Sequence, residues 1–246
     1  MDRYHRAVPT GPQEIGRADL HMHTRYSDGW PSPGALVDHV AQSGDLDVIA
    51  ITDHDTIEGA LRAAELAAAR PDAPAVIVGE EVSSRHGHIL GLFLQKRVRP
   101  GMTAAATVDA IHEQGGLAIA AHPFWRTDRR GSDRAVHGVG WMAADLEFDA
   151  IEVENATPGF YLFNQMAHRL REAAGCAEVG NSDAHIVDAI GLACTSFPGR
   201  TPKALRAAIT GGRTEAQRLR YPALTLVRYA AWGIEHRRQR RLAAAR

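Results

Sequence analysis

The chain has 246 residues, 45% of them hydrophobic and 23% charged, which suits one large globular α/β domain or two small ones. Its formal net charge of −1 points to no class of charged partner. Cys176 and Cys194 form no CxxC motif and predict no disulfide framework, which favours a reducing, cytoplasmic location. No apolar signal segment begins the sequence, and no run of apolar residues is long enough to predict a transmembrane helix.

Short apolar runs alternate with helical patterns along most of the chain. The predicted strands are 18–22, 47–52, 75–79, 88–94, 117–121, 149–154, 177–180 and 190–197. Their continuous apolar character is typical of strands covered on both faces. Alternation with helices favours parallel strands, in a barrel or an open sheet.

Capping residues and glycines set the ends of the predicted helices. Ser32-Pro33 begins the first helix and Gly44 ends it, while Asp55 and Glu58 resemble the N-cap and N3 residues of a capping box. Later helices are predicted to begin near Thr103, Phe160 and Thr201 and to end at Gly115, Gly175 and Gly211.

The connection between the third and fourth strands is unusual. Residues 80–87 are too few for a helical crossover between parallel strands, so the sequence predicts a hairpin-like distortion here. We expect three parts: an irregular lead-in at 1–16, the barrel at 17–217, and a basic helix or tail at 218–246.

A His-x-His motif follows the first predicted strand. His21 and His23 are two residues apart, a spacing that aims both side chains at one side of an extended segment, and Asp28 follows on the next loop. Imidazole is a common ligand of divalent transition metals, so the motif indicates one wall of a metal site.

Polar side chains recur after the later strands. In parallel barrels the carboxyl ends of the strands converge on the active site, so these residues should meet in one cleft. Their mixture of imidazoles and carboxylates suits two or three ions such as Mn, Fe or Zn. The strand-end residues are Asp53, His54, Asp55, Glu80, Glu81, His122, Glu152, Glu154, Asn155, Asn181, Asp183 and His185.

The remaining histidines fit this pattern less well. His88 begins the fourth predicted strand, and the sequence leaves open whether its side chain reaches the site from there. We interpret the others as surface or packing residues: His5, His39, His86, His112, His137, His168 and His236.

Five motifs together resemble the PHP family, named for polymerase and histidinol phosphatase. DLHMHTRYSDG, ITDHDTIEG, GEEVSS followed by HILGL, AHP, and NSDAH occur in family order over residues 18–197. They look most like the small stand-alone metal-dependent phosphoesterases. The resemblance implies an α/β fold, a distorted (β/α)7 TIM-like barrel, that holds two or three metal ions.

The resemblance also implies ligand sets. His21, His23, Glu81 and Asp183 would form one metal position; Asp28, His54 and His185 a second; Glu81 and His122, with help from His88, a third. Catalytic roles would belong to His21, His23, Asp28, His54, Asp183 and His185.

Arginine is well suited to bidentate contacts with phosphate, and two arginines are candidates for a substrate phosphate. Arg126 lies in an arginine-rich loop after His122, and Arg25 lies between His23 and Asp28. The same loop also contains Arg129, Arg130 and Arg134.

These features predict a hydrolase that cleaves a phosphate ester through a metal-activated water. The substrate could be a phosphomonoester, a nucleotide or a short oligonucleotide, the last cut as by a 3′–5′ exonuclease. A metal-dependent amidohydrolase is a weaker alternative, because many of these enzymes bridge their metals with a carboxylated lysine and Lys96 and Lys203 are badly placed for that role. A non-catalytic module that binds metal or phosphate is the other.

The segment from residue 221 onward predicts a helix that ends in an arginine-rich stretch. Such a helix could make weak contact with an anionic surface such as a membrane or a nucleic acid. The plainer interpretation is a helix docked on the barrel, with a solvated basic tail.

Overall fold

The computed structural model describes residues 14–126 and 137–244. Within these residues, nine strands form one sheet in the order β7-β6-β5-β4-β3-β2-β1-β8-β9. The strands are β1 (Ile15–Asp19), β2 (Val48–Ile51), β3 (Ala75–Ser84), β4 (Gly87–Leu92), β5 (Leu117–Ala120), β6 (Ala150–Asn155), β7 (Ala177–Asn181), β8 (Ala193–Pro198) and β9 (Glu215–Arg218).

Helices connect most of the strands, and local capping explains where several of them begin. The side chains of Ser32, Thr103 and Thr201 each accept a hydrogen bond from a backbone N–H in the first turn of their helix. Gly44 and Gly175 end two helices in the left-handed conformation. The helices are α1 (Pro33–Ser43), α2 (Glu58–Ala68), α3 (Ala104–His112), α4 (Tyr161–Ala174), α5 (Pro202–Thr210) and α6 (Ala223–Ala244).

The sheet is a nearly closed, distorted barrel, as the sequence predicts. β1, β2 and β3 are parallel, and so are β5, β6 and β7. β4 runs antiparallel to both of its neighbours, which confirms the hairpin-like distortion expected after the third strand. The curvature of the sheet brings β8 next to β7. There the hydroxyl of Thr195 accepts the backbone N–H of Gly180 and donates to its carbonyl.

Three local predictions need correction. β1 begins at Ile15, inside the expected lead-in, and ends before His21; the two histidines stay aligned because Met22 pairs with Ala184 across the barrel mouth. Asp55 does not cap α2, because its carboxylate accepts the backbone N–H of Ser83 instead. The polar strand β9 carries no apolar pattern and was not expected; it crosses the boundary predicted at residue 217.

Apolar side chains fill the barrel beneath the carboxyl ends of its strands. Leu20, Leu90, Ile119 and Phe197 are buried in one cluster, and Leu205 of α5 joins it. Rigid packing of this kind fixes the strand ends on which the polar residues lie. Among the described residues, no helix is both long and apolar enough to cross a membrane.

Candidate metal centre

The buried carboxylate of Glu81 is the hub of a histidine cluster at the carboxyl ends of the strands. Oε2 lies 3.2 Å from Nε2 of His21, 3.2 Å from Nε2 of His23 and 3.3 Å from Nδ1 of His54. Oε1 lies 2.7 Å from Nδ1 of His88 and 3.0 Å from Nε2 of His122. One carboxylate therefore contacts five imidazoles from four different segments of the chain.

Two further carboxylates extend the cluster to the other side of His23. Asp183 Oδ1 lies 3.2 Å from His23 Nε2 and 3.4 Å from His21 Nε2. Asp28 Oδ1 lies 3.2 Å from His185 Nε2, and Asp28 Oδ2 lies 3.9 Å from His54 Nε2. The structure thus brings together all nine side chains that the sequence nominated as metal ligands.

Four triplets in the cluster could each hold an ion, because their ligand atoms lie within 4.8 Å of one another. They are His21–His23–Asp183, His23–Asp28–His185, His23–His54–Glu81 and His21–Glu81–His122. This grouping differs from the one implied by the family resemblance, since His54 joins Glu81 and His23 instead of Asp28 and His185. His88 contacts Glu81 but belongs to none of the four triplets.

Several buried ligand atoms in the cluster make no well-aligned hydrogen bond among the described residues, although two of them lie 3.2 Å from an atom of Glu81 or His185. They are Nε2 of His21, Nδ1 of His23, Nδ1 of His122 and Oδ1 of Asp28. A buried polar atom without a hydrogen bond is costly, and all four atoms are of types that coordinate divalent metals. The donor set therefore fits metal ions.

Glu152 supports the cluster from below, a role that sequence reasoning did not assign. Its Oε1 accepts a hydrogen bond from Nδ1 of His21 at 2.9 Å, which leaves Nε2 of His21 to face the cluster. The same carboxylate accepts bonds from the backbone N–H of His122 and from the side chains of Asn155 and Asn181. The sequence placed Glu152 among the strand-end residues, but its spacing did not distinguish a supporting role from that of a ligand.

A second buried carboxylate, Asp53, shapes the loop that carries Asp28. Its oxygens accept hydrogen bonds from the Thr24 backbone N–H at 2.7 Å, from the Thr24 hydroxyl at 2.6 Å and from the Ser27 hydroxyl at 2.6 Å. Asp53 thus orients the loop without joining the cluster.

The neighbouring residues Glu80 and Glu81 point in opposite directions, because successive side chains of a strand alternate between faces. Glu81 enters the cluster, whereas Glu80 accepts the backbone N–H of Val98 at 2.8 Å. Burial raises the pKa of Glu80 to about 7.

Two cluster residues have left-handed backbones, with φ of 26° at His122 and 51° at Asp183. This conformation is uncommon for residues other than glycine and concentrates at functional sites. The surrounding hydrogen bonds to Glu152 and to Asn155 hold both residues in place.

The carboxylates govern protonation in the cluster. Burial opposes the charge on His23, but hydrogen bonds to Asp183 and Glu81 outweigh it and raise the pKa of His23 to about 10. Burial likewise opposes ionisation of Glu81, yet His54, His88 and the other imidazoles hold its pKa well below the usual range. For His54, burial dominates and lowers the pKa to about 4.

A cleft of about 720 Å³ opens above the cluster, a volume suited to a small-molecule ligand. Its wall includes Arg126, whose guanidinium lies 5.2 Å from the centre of the Trp125 ring. Arg25 is exposed and is not among the described side chains that line the cleft, so the structure does not bring this candidate to the site. Arg129, Arg130 and Arg134 lie outside the described residues.

The cleft also has contributors that the sequence did not place there. His137 and His236, expected to be surface or packing residues, both line it, as do Arg85 and Arg237. His236 comes from α6, which forms one wall of the cleft. Lys96 and Lys203 are both exposed, which removes the lysine bridge of the amidohydrolase alternative.

Comparison with known proteins agrees with this architecture. The sequence model of the PHP domain matches residues 19–125, and that of the PHP-associated region matches residues 162–214. The chain belongs to the PHP family. The matched residues include every residue of the cluster.

Three relatives illustrate the range of this similarity. An uncharacterised protein of Methanocaldococcus jannaschii is 35% identical over 57% of the chain and 82% of its own length. A 5′-3′ exoribonuclease of Haemophilus influenzae is 43% identical over 41% of the chain and 37% of its own length. A 3′,5′-nucleoside bisphosphate phosphatase of Chromobacterium violaceum is 42% identical over 42% of the chain and 41% of its own length.

Two solved structures share the fold. A two-domain protein of Bacteroides vulgatus, containing a predicted PHP-like metal-dependent phosphoesterase, superposes with a TM-score of 0.68 at 21% identity and covers 84% of this chain and 66% of that one. PsfC of Pseudomonas syringae superposes with a TM-score of 0.64 at 20% identity and covers 92% of this chain and 99% of that one.

Proposed function

We propose that this PHP-family protein is a metal-dependent phosphoric ester hydrolase. The observation that carries the proposal is the contact of one buried carboxylate, Glu81, with five imidazoles, beside buried cluster atoms that make no hydrogen bond. Such a mixed His and carboxylate set suits Mn, Fe or Zn.

The proposed ligands are the nine side chains of the cluster, with His88 the weakest member because it joins none of the four triplets: His21, His23, Asp28, His54, Glu81, His88, His122, Asp183 and His185. Two or three divalent ions bound there would supply Lewis acidity and an activated water for attack on phosphorus.

The protein's own groups prepare the site for these ions. Glu152 fixes the ring of His21, and the backbone carbonyl of Asp183 accepts a hydrogen bond from Nδ1 of His185 at 2.9 Å. Each contact leaves Nε2 of the ring available as a ligand. Arg126, on the cleft wall, is the proposed contact for a substrate phosphate oxygen.

The proposed substrate is a phosphomonoester or a nucleotide, or else a short oligonucleotide. The cleft volume suits a molecule of this size, and two of the relatives act on nucleotides or RNA by their names. The two free cysteines, Cys176 and Cys194, are compatible with the proposed cytoplasmic location.

Exonuclease activity is the second candidate, favoured by the similarity to a 5′-3′ exoribonuclease. The sequence suggested the opposite polarity, 3′–5′. An oligonucleotide labelled at either end distinguishes the two directions, because the first labelled product is a mononucleotide only when digestion begins at the labelled end.

The proposal is tested with a panel of p-nitrophenyl phosphate, mononucleotides, a nucleoside 3′,5′-bisphosphate and short single-stranded RNA. Each is assayed with added Mn²⁺ and again after chelation. We expect turnover of at least one compound that chelation abolishes and Mn²⁺ restores. Turnover that survives chelation unchanged, or that survives Glu81→Ala in a folded protein, would contradict the proposal.

A further inference from the structure

Helix α6 lies outside both family-matched segments, yet it packs against the cluster. The indole N–H of Trp232 donates a hydrogen bond to the backbone carbonyl of Asp28 at 2.8 Å. The Trp232 ring also lies against His185, with ring centres 4.1 Å apart. A residue far along the chain therefore touches two proposed ligands that are 157 positions apart.

Trp232 continues a row of rings that begins inside the barrel. His23 stacks on His185 with centres 4.3 Å apart and an interplanar angle of 22°. The Trp232 ring is tilted by 41° against that of His185, and His236 stacks on Trp232 at 5.2 Å and 23°. The His185 ring thus contacts the cluster through His23 and α6 through Trp232.

Other contacts of α6 hold Trp232 against the barrel mouth. Arg228 forms an ion pair with Asp188, on the segment that follows His185. Tyr229 is half-buried, lies 5.1 Å from Trp232 between ring centres and is next to Thr157. The Thr157 hydroxyl in turn donates to Asp183 Oδ2 at 3.1 Å. The helix therefore touches three separate loops that carry cluster residues or their partners.

The outer end of the cluster lacks the support that the inner end has from the barrel. The Glu152 carboxylate holds His21 from within the sheet, whereas Asp28 lies on a loop and its side chain is 21% exposed. On this loop, the backbone carbonyl of Asp28 itself accepts the hydrogen bond from Trp232. Partners of this kind set ligand orientation and affect metal affinity.

We propose that Trp232 is a positioning residue of the metal centre, through which α6 fixes Asp28 and His185 in the geometry that binds the outermost ion. The inference rests on the proposed function only in taking the cluster to be a metal centre. It assigns a purpose to a helix that the family-matched segments do not include.

Calorimetric titration of the metal-free protein with Mn²⁺ tests this inference independently of turnover. Trp232→Phe keeps a ring beside His185 but loses the donor to Asp28, and Trp232→Leu loses both. We expect the weakest Mn²⁺ site to lose affinity about fivefold in Trp232→Phe, the cost of about one hydrogen bond, and about 10- to 100-fold in Trp232→Leu. The tighter site should keep wild-type affinity in both variants.

Val227→Ala is the matched control, since Val227 is 66% exposed on the same helix. It should bind Mn²⁺ like the wild type, and circular dichroism should give all variants the same folded spectrum. Wild-type affinity at every site in both Trp232 variants would overturn the inference. So would an equal loss at all sites, which would indicate general destabilisation. If Mn²⁺ binds none of these proteins, the metal centre of the proposed function fails instead.

Discussion

The inner and outer halves of the cluster are built differently. The inner half, His21, Glu81 and His122, is almost completely buried and rests on strand ends supported by Glu152. In the outer half, Asp28 and His54 are more exposed, with side chains 21% and 27% accessible. The barrel strands therefore fix the inner ligands, whereas loops at the barrel mouth carry Asp28 and His54.

The two halves of the cluster also differ in the contacts that support them. The Glu152 carboxylate supports the inner half through four hydrogen bonds within the sheet. The outer half depends on the hydrogen bonds of Asp53 to the Asp28 loop and on the contact of Trp232 of α6 with the backbone carbonyl of Asp28. We therefore expect inner substitutions to affect metal binding and activity most.

The largest effect should come from Glu81→Gln, because Glu81 contacts five imidazoles and serves two of the four candidate triplets. Loss of its charge should lower kcat/KM by about a thousandfold or more, equivalent to about 4 kcal/mol of lost electrostatic stabilisation. Steady-state kinetics with saturating Mn²⁺ measure the change.

Glu80→Gln is the matched control for this prediction. Glu80 is the residue before Glu81 and is equally buried, but its carboxylate accepts the backbone N–H of Val98. Glutamine retains an acceptor for that N–H. Activity should stay within about twofold of wild type, with stability changed by about 1 kcal/mol or less. A similar loss of kcat/KM in the two variants would show that Glu81 has no special role in the inner half.

Glu152→Gln should have the next largest effect. It keeps the shape of the side chain but weakens the bond to His21 Nδ1, so Mn²⁺ affinity should fall about 10- to 100-fold. Glu154→Gln serves as control, since Glu154 contacts Asn164 and His168 away from the cleft. Equal Mn²⁺ affinity in the two variants would remove the supporting role given to Glu152.

Metal binding should also displace protons, since His23 must lose its proton to coordinate. Its pKa of about 10 means that it is protonated at neutral pH in the metal-free protein. Mn²⁺ affinity should therefore rise with pH from 7 to 9, and the calorimetric heat at pH 7 should vary with the ionisation enthalpy of the buffer. Heat that is the same in every buffer would contradict this.

The smallest effect should come from Arg126, one of the exposed arginines that line the cleft. Arg126→Gln should raise KM about threefold without changing kcat, because an exposed ion pair contributes less than about 1 kcal/mol. Arg25→Gln is a matched exposed control outside the cleft and should leave KM unchanged. An equal rise in KM for both variants would point to a general effect of charge.

The sequence placed the proposed ligands in one cluster because most of them lie at or just after the end of a strand, and the carboxyl ends of barrel strands converge. It could not predict the supporting role of Glu152. Glu152 and Glu154 are two residues apart and should share a face, but the sheet register shifts between them and only Glu152 reaches the cluster.

The packing of α6 against the barrel mouth also could not be predicted from the sequence. The helical pattern of α6 was visible, but which of its residues would meet the cleft depends on contacts with loops that are distant in the sequence, such as that of Trp232 with Asp28. The left-handed backbones of His122 and Asp183 arise from the same kind of tertiary constraint.

Metal content provides the most direct test of the central claim that Glu81 organises a metal centre. Elemental analysis by mass spectrometry should find about two or three Mn, Fe or Zn ions per chain in purified wild-type protein and in Glu80→Gln. Folded Glu81→Gln should lose at least one of them. Wild-type protein without bound transition metal after reconstitution, or a full complement in Glu81→Gln, would contradict the account.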